Sequence, residues 1–216
     1  MALKKVHNLF EMRKDYNPGP LDYSDMDSDP FIQFSKWFEE ALLAERHEVN
    51  AMILSTVNIN MEPSSRVVLL KSYSSDGFIF FTNYSSRKGV DISENNRVAL
   101  LFFWPDSMRQ IRIEGMAERC EPAISEEYFN SRPVENRASS VLSKQSKQLA
   151  DRNLFDEEIS NLVKSGNPIK RPDNWGGYIV KPYRFEFWQG GSGRSHDRFQ
   201  YNKTEKNIWD ISRLYP

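Results

Sequence analysis

The chain has 216 residues, with 29 basic side chains against 30 acidic ones, a net charge of −1 and one cysteine. That balance argues against nucleic acid as the main partner, and a lone cysteine excludes an intramolecular disulfide and suits a reducing compartment. A hydrophobic fraction of 39% and an aromatic fraction of 13% supply one core, and no run of apolar residues reaches signal-peptide or membrane-span form, so a cytoplasmic protein with no membrane partner is expected.

Residues 1–30 are polar, with Pro18, Gly19 and Pro20 ahead of an acidic run over 22–29, and they read as an arm, with 31–216 as a single domain. Asp29 and Pro30 supply an N-cap and a first helical residue. Phe31, Phe34, Trp37, Phe38 and Leu42 follow at helical spacing, predicting an amphipathic helix to about residue 45. From Ala51 the period shortens, and 51–58, 65–72 and 78–83 read as strands punctuated by turns at 58–60 and 74–77. A short helix over 85–95 precedes two longer strands, 97–104 and 110–121, joined around Pro105 and Asp106. Residues 122–165 read as helical, with one helix over 122–131 and at least another within 143–165. Strands return at 177–180, 184–189, 198–201 and 208–214, the last two joined by a turn over 202–207. Short connections between strands, with helices interposed, predict a mainly β protein with flanking helices, an α+β antiparallel barrel or roll.

Several stretches carry chemistry. Arg66 and Lys71 bracket the apolar run Val67, Val68, Leu69 and Leu70; five apart in a regular strand, they point to opposite faces, as snorkelling strand ends or as contacts to different parts of a ligand. Phe81 and Thr82 end a strand, and Arg87 and Lys88 begin the next helix. Cations there oppose the helix dipole unless an anion offsets them, so hydroxyls, free amides and Arg/Lys form a candidate phosphate site. Gln110, between Arg109 and Arg112, offers a donor and an acceptor to a heterocycle edge. Tyr128 and Arg132 lie four apart on a helix and either pair at the surface or clamp a second phosphate. The polar run 143–146, with Gln145 and Ser146, reads as an ordinary cap or as a ligand contact, and Trp188 as a stacking platform or a core plug.

The densest signal follows Gly190 and Gly191. Arg194, His196 and Arg198 are spaced by two, so in an extended backbone they share a face, where their mutual repulsion calls for an anion or polar ligand. Cys120 reads as a small core residue. His7, His47 and His196 are far apart, no metal-ligand spacing occurs, and neither a P-loop nor a dinucleotide fingerprint is present.

These segments in order, with Trp175, Gly176 and Gly177, the run from Glu186 to Gly191, and the carboxyl-terminal stretch from Trp209 to Pro216, closely resemble the pyridoxine (pyridoxamine) 5′-phosphate oxidase family over roughly residues 12–216. The resemblance implies an FMN-binding split β-barrel, a homodimer with FMN in clefts between the subunits. It places FMN contacts on Arg66, Val67, Val68, Leu69, Leu70, Lys71, Phe81, Thr82, Arg87 and Lys88, and on Gln110, Gln145, Ser146, Trp188 and Arg198. It places the substrate phosphate on Lys71, Tyr128 and Arg132, with Asn136 standing where the family typically has a serine. Arg194, Ser195 and His196 fall near the substrate ring, Arg194 and His196 as the catalytic pair. Arg13, Lys14, Asp15 and Tyr16 resemble a segment of the arm that folds over the substrate as a lid. Glu48 stands where an Asp often precedes the first barrel strand. The implied reaction is oxidation of pyridoxine or pyridoxamine 5′-phosphate to pyridoxal 5′-phosphate, by hydride transfer to flavin and reoxidation by dioxygen with release of hydrogen peroxide, and of ammonia from the amine. Two other readings fit the same residues: another FMN split-barrel reductase, or a non-catalytic carrier of flavin or pyridoxal phosphate.

Overall fold

A computed structural model of the chain describes residues 19–216. The lid candidates Arg13, Lys14, Asp15 and Tyr16 lie outside the described residues. Nine strands form one antiparallel sheet in the order β2-β1-β5-β6-β7-β4-β3, with β8 added to β7 and β9 to β8. The strands are β1 (Ala51–Val57), β2 (Pro63–Leu69), β3 (Ser72–Ser74), β4 (Gly77–Asn83), β5 (Arg97–Trp104), β6 (Arg109–Arg119), β7 (Trp175–Gln189), β8 (Asp197–Lys203) and β9 (Trp209–Arg213). The sheet curls into a half-barrel and the helices flank it, as the α+β expectation required.

Strand β7 is the spine. One of its edges pairs with β6 along its length, while the other pairs first with β4 and then with β8. The expected break between 180 and 184 does not occur. A register shift between Glu114 and Gly115 places Gly115 opposite Pro182, and the bulge accommodates a residue that has no N–H to donate. A Cβ on Gly115 would come within 2.6 Å of the Lys181 carbonyl, so only glycine fits there.

Helix α1 (Pro30–Ala44) opens on the Asp29 side chain, which accepts from the Phe31 N–H at 2.8 Å. It lays Phe34, Trp37 and Ala41 onto the concave face of the sheet. Phe34 meets Phe78, Phe102 and Tyr73 with ring centroids 4.9–5.2 Å apart, and Trp37 meets Phe187 at 5.2 Å. Burying each such ring stabilises the fold by about 2–3 kcal/mol. Leu42, expected on the same face, is 58% exposed, because Ala41 takes the position that the buried stripe reaches.

The helical stretch after β6 also differs from expectation. Helix α3 (Pro122–Ser131) is followed by α4 (Val134–Leu142) and α5 (Arg152–Lys164), and the run 143–151 between the last two is not helical. Pro133 at the α4 N-cap ends α3 and starts α4. These helices enclose a second small core around Phe129, Ala138, Ile169 and Trp175, beside the end of β4. Among the described residues no helix is long and apolar enough to cross a membrane.

Residues 19–29 run along β8 and β9. The Leu21 N–H donates to Asp197 at 3.0 Å, Tyr201 donates to the Asp27 carbonyl at 2.6 Å, and Gln189 donates to the Gly19 carbonyl at 3.2 Å.

Candidate active site

A cleft of about 650 Å³ opens between β2, the end of β4 and helices α3 and α4. Arg66, Val67, Val68, Leu69 and Lys71 line one wall, and Tyr128, Arg132 and Asn136 line another. Phe81, Thr82, Lys88, Gln145 and Trp175 complete the principal set. Arg66 and Lys71 therefore share a cleft, against the expectation of opposite faces. The strand bends at Leu70, whose N–H turns to the Asn50 carbonyl at 2.8 Å while that of Lys71 donates to Ile79 at 2.8 Å. The change of partner strand breaks the two-residue alternation. Leu70 itself is buried in the main core and does not line the cleft.

Helix α2 (Arg87–Glu94) begins at this cleft with Ser86 as its N-cap. Gly89 allows its first turn to lie against Tyr84, where a Cβ would meet the Tyr84 carbonyl oxygen at 2.2 Å. Lys88 is thereby drawn inward to 8% exposure. Its ammonium donates to Thr82 Oγ1 at 3.2 Å, Ser86 Oγ at 3.3 Å and Gln145 Oε1 at 3.4 Å. All three acceptors are neutral, and among the described residues no carboxylate forms a salt bridge with Lys88. Burial, and then the nearby Arg66, hold the Lys88 pKa below its ordinary value. Arg87 points outward and its backbone N–H donates to Ser146 Oγ at 3.1 Å. The run 143–146 thus contacts the cleft as the loop after α4, and it does not start a helix.

Arg66 is held by Thr56 Oγ1 at 2.7 Å, Ser64 Oγ at 2.5 Å and, more distantly, the buried Asp91 carboxylate at 3.7 Å. Burial lowers its pKa; Asp91 opposes that shift and Arg87 adds to it. Buried cations with neutral neighbours are costly unless an anion joins them.

A slab of parallel rings forms the other part of the cleft. Phe81 lies 4.0 Å from Tyr128 and 5.6 Å from Trp175 by ring centroids. Lys71 sits 5.9 Å over the Tyr128 ring and Arg132 sits 4.8 Å over Trp175. Arg132 is the C-cap of α3 rather than a residue of its last turn, which lets its side chain turn into the cleft. Burial lowers its pKa. Two sets of cations, Arg66 with Lys88 and Lys71 with Arg132, thus share one space.

The remaining candidates stand on the convex face of the sheet. Phe103, Gln110, Trp188 and Arg198 form one row across β5, β6, β7 and β8. Arg198 pairs with Glu186 at 3.0 Å and donates to the Tyr215 carbonyl at 2.9 Å. Arg194, His196 and Arg198 do not share an extended face, because Ser192–Arg194 forms a 3-10 turn and β8 begins only at Asp197. Arg194 adopts φ +64°, an uncommon conformation for a non-glycine residue. His196 packs on Trp188 at 4.8 Å, and its Nδ1 accepts from the Gly191 N–H at 3.1 Å. With Nδ1 accepting, the neutral ring carries its proton on Nε2 and presents a donor there. Gly191 is required, since a Cβ there would meet the Ser195 carbonyl oxygen at 2.0 Å. Arg194 and Ser195 are exposed, and Glu48 is exposed outside the cleft lining. Cys120 is buried at the end of β6, and burial pushes its thiol pKa up to about 11, as a core residue requires.

Asp91, Ser139 and Ser140 escape a reading by motif. Asp91 was detectable only as an acid on the inward face of a short helix, and the serines resemble surface helix residues until α4 is placed. Trp175 carried a signal only through the two glycines after it.

The family model for pyridoxamine 5′-phosphate oxidase matches residues 38–162, and that for the pyridoxine 5′-phosphate oxidase C-terminal dimerisation region matches residues 175–216. The pyridoxine/pyridoxamine 5′-phosphate oxidase of Bordetella pertussis is 46% identical over 209 residues, covering 97% of this chain and 100% of the relative. Among solved structures, PhzG from Burkholderia lata 383, in complex with tetrahydrophenazine-1-carboxylic acid, superposes with a TM-score of 0.88 at 30% identity, covering 94% of this chain and 100% of that one. A pyridoxamine 5′-phosphate oxidase-related, FMN binding protein from Nostoc punctiforme shares the fold with a TM-score of 0.71 at 15% identity, covering 88% and 100% of the two chains.

Proposed function

Because the chain belongs to the pyridoxamine 5′-phosphate oxidase family, we propose that it oxidises pyridoxine and pyridoxamine 5′-phosphates to pyridoxal 5′-phosphate, with FMN as cofactor and dioxygen as final acceptor. The observation that carries this reading is the pair of cation sets in one cleft, which among the described residues have a single carboxylate between them, Asp91 at 3.7 Å from Arg66. One set suits a cofactor phosphate and the other a substrate phosphate. The donor chemistry fits FMN: Arg66, Lys88, Thr82 and Ser146 meet at the N-terminus of α2, where amides and cations together receive a phosphoryl group.

The row of Gln110, Trp188 and Arg198 completes the cofactor site from a second copy of the chain. Its support is the convex face itself, which exposes Val67 by 64% and Phe103 by 54% in one protomer, together with the match of residues 175–216 to a dimerisation region. An exposed apolar stripe of this kind marks an association surface. Bound there, FMN supplies a two-electron acceptor, which dioxygen restores with release of hydrogen peroxide.

The protein's own contribution is positional. Lys71, Tyr128 and Arg132 hold the substrate phosphate, so that binding energy orients the ring for reaction. Arg194 and the Nε2–H of His196 steady the reacting substituent at C4′ and stabilise charge that develops on it. When the amine is the substrate, its oxidation leaves an imine, and water hydrolyses that to the aldehyde and ammonia.

The test is anaerobic. Purified yellow protein mixed with pyridoxamine 5′-phosphate bleaches, and air restores the colour with formation of pyridoxal 5′-phosphate. A protein that stays yellow overturns the reading, and bleaching by a tetrahydrophenazine carboxylate alone assigns the site to oxidation of that class of compound instead.

A further inference from the structure

Helix α4 turns one stripe of side chains into the cleft: Asn136, Ser139, Ser140 and Ser143 all line it. Their spacing of three and four residues makes them neighbours on one helical face. Among the described residues, one of these hydroxyls is tied to a cleft cation. Nη1 of Arg132 donates to Ser140 Oγ at 2.7 Å, and Ser140 in turn donates to the Asn136 backbone carbonyl at 2.9 Å.

We propose that Ser140 is a positioning residue for the substrate phosphate, acting through Arg132. The inference rests on the assignment of Arg132 to that phosphate. A serine hydroxyl has one hydrogen, and the Asn136 carbonyl takes it, so the lone pairs of Oγ face the guanidinium and Ser140 serves Arg132 as an acceptor. The guanidinium is then fixed on two sides, by the Trp175 face 4.8 Å away and by Ser140 at one terminal nitrogen. Its remaining N–H groups are left to the cleft that Arg132 lines. Among the described residues no carboxylate holds Arg132, so without Ser140 a long side chain with several rotatable bonds loses the contact that selects its rotamer. Asn136 lines the same cleft and takes part in this arrangement through its backbone carbonyl, which accepts the Ser140 hydrogen.

Ser140→Ala is a mild change for the fold, because alanine favours helix and loses only a back-bond to the preceding turn. The expected result is a fall of about tenfold in kcat/KM for pyridoxamine 5′-phosphate, the equivalent of one charge-assisted hydrogen bond. The loss appears in KM, with kcat, FMN affinity and the turnover of unphosphorylated pyridoxamine unchanged. A double-mutant cycle with Arg132→Ala separates positioning from general damage: once Arg132 is absent, Ser140→Ala costs nothing further. An unchanged KM in the single variant, equal losses with phosphorylated and unphosphorylated substrate, or additive losses in the cycle would each overturn the proposal. A wild-type protein that does not oxidise pyridoxamine 5′-phosphate would refute the functional assignment instead, so the two failures are distinct.

Discussion

Two clusters of cations, one on the convex face of the sheet and one in the cleft, are built on opposite plans. On the convex face Arg112, Arg184 and Arg198 each meet a carboxylate of Glu114 or Glu186 at 3.0–3.2 Å. In the cleft Arg66, Lys71, Lys88 and Arg132 have, among the described residues, one carboxylate between them, Asp91, and it stands 3.7 Å from Arg66. Every arginine of the first cluster meets a carboxylate, and the pairs link three neighbouring strands. The second holds charge among hydroxyls, amides and aromatic faces, buried at Lys88, half-buried at Arg66 and Arg132 and exposed at Lys71, and it gains most when an anion enters. A count of cations would not tell the two regions apart; the identity of their partners does.

The contrast breaks most easily at Lys88. Lys88→Met removes a buried ammonium, and FMN affinity should fall about 100-fold, or about 2.7 kcal/mol, at the upper end for a hydrogen bond to a charged group. The ligand-free protein should unfold at the same temperature or higher, because a desolvated charge has been replaced by an apolar side chain. Flavin titration together with thermal unfolding checks both halves. A variant that binds FMN normally but unfolds early would make Lys88 structural.

The opposite outcome is expected on the convex face. Glu186 is 7% exposed and joins Arg112 to Arg198. Glu186→Gln should lower unfolding stability by about 1–2 kcal/mol, below the full value for a buried pair because both arginines are partly solvated. Denaturant unfolding of the ligand-free protein reads this directly, and an unaltered midpoint would dissolve the contrast.

A pH titration sharpens it further. The Lys88 pKa lies below the ordinary 10.5, chiefly through burial. Between the lowered value and 10.5 the unfolded chain holds a proton that the folded one has released, so ligand-free wild type gains stability relative to Lys88→Met as pH rises through that window. FMN affinity moves the other way and declines over the same range, since the phosphate needs the ammonium; a parallel decline in Lys88→Met would remove Lys88 as its cause. The smallest change is predicted for Arg184→Ala, whose side chain is 44% exposed. Its loss should cost less than about 1 kcal/mol and leave flavin binding intact.

Much of the architecture was legible because local signals agreed. The strand over Arg97–Trp104 and the helix over Pro122–Ser131 occur at the bounds that alternation and the leading proline indicated. Asp29 and Pro30 marked the start of α1 for the reason a cap always does, a side-chain acceptor beside free amides. Strand β7 was misjudged because Pro182 signals a stop in isolation, whereas Gly115 on the neighbouring strand absorbs it in a bulge. Helix α4 was not set apart within the helical stretch 122–165 because its polar sequence has no strong apolar stripe of its own and owes its position to α5 and the second core.

The order and chemistry of the residues alone announced the family, the antiparallel α+β class and most of the cations that matter, since these depend on side-chain type and local period. Which cations share a space depended on long-range pairing. The bend at Leu70 brings Lys71 into the same cleft as Arg66, the C-cap turns Arg132 onto Trp175, and the loop after α4 carries Gln145 to Lys88. Likewise the 3-10 turn at Ser192–Arg194 separates three residues that an extended strand would have aligned. Charge placement is a property of the closed sheet, because desolvation and neighbouring groups, which decide whether a cation is satisfied, come into being only when distant segments meet.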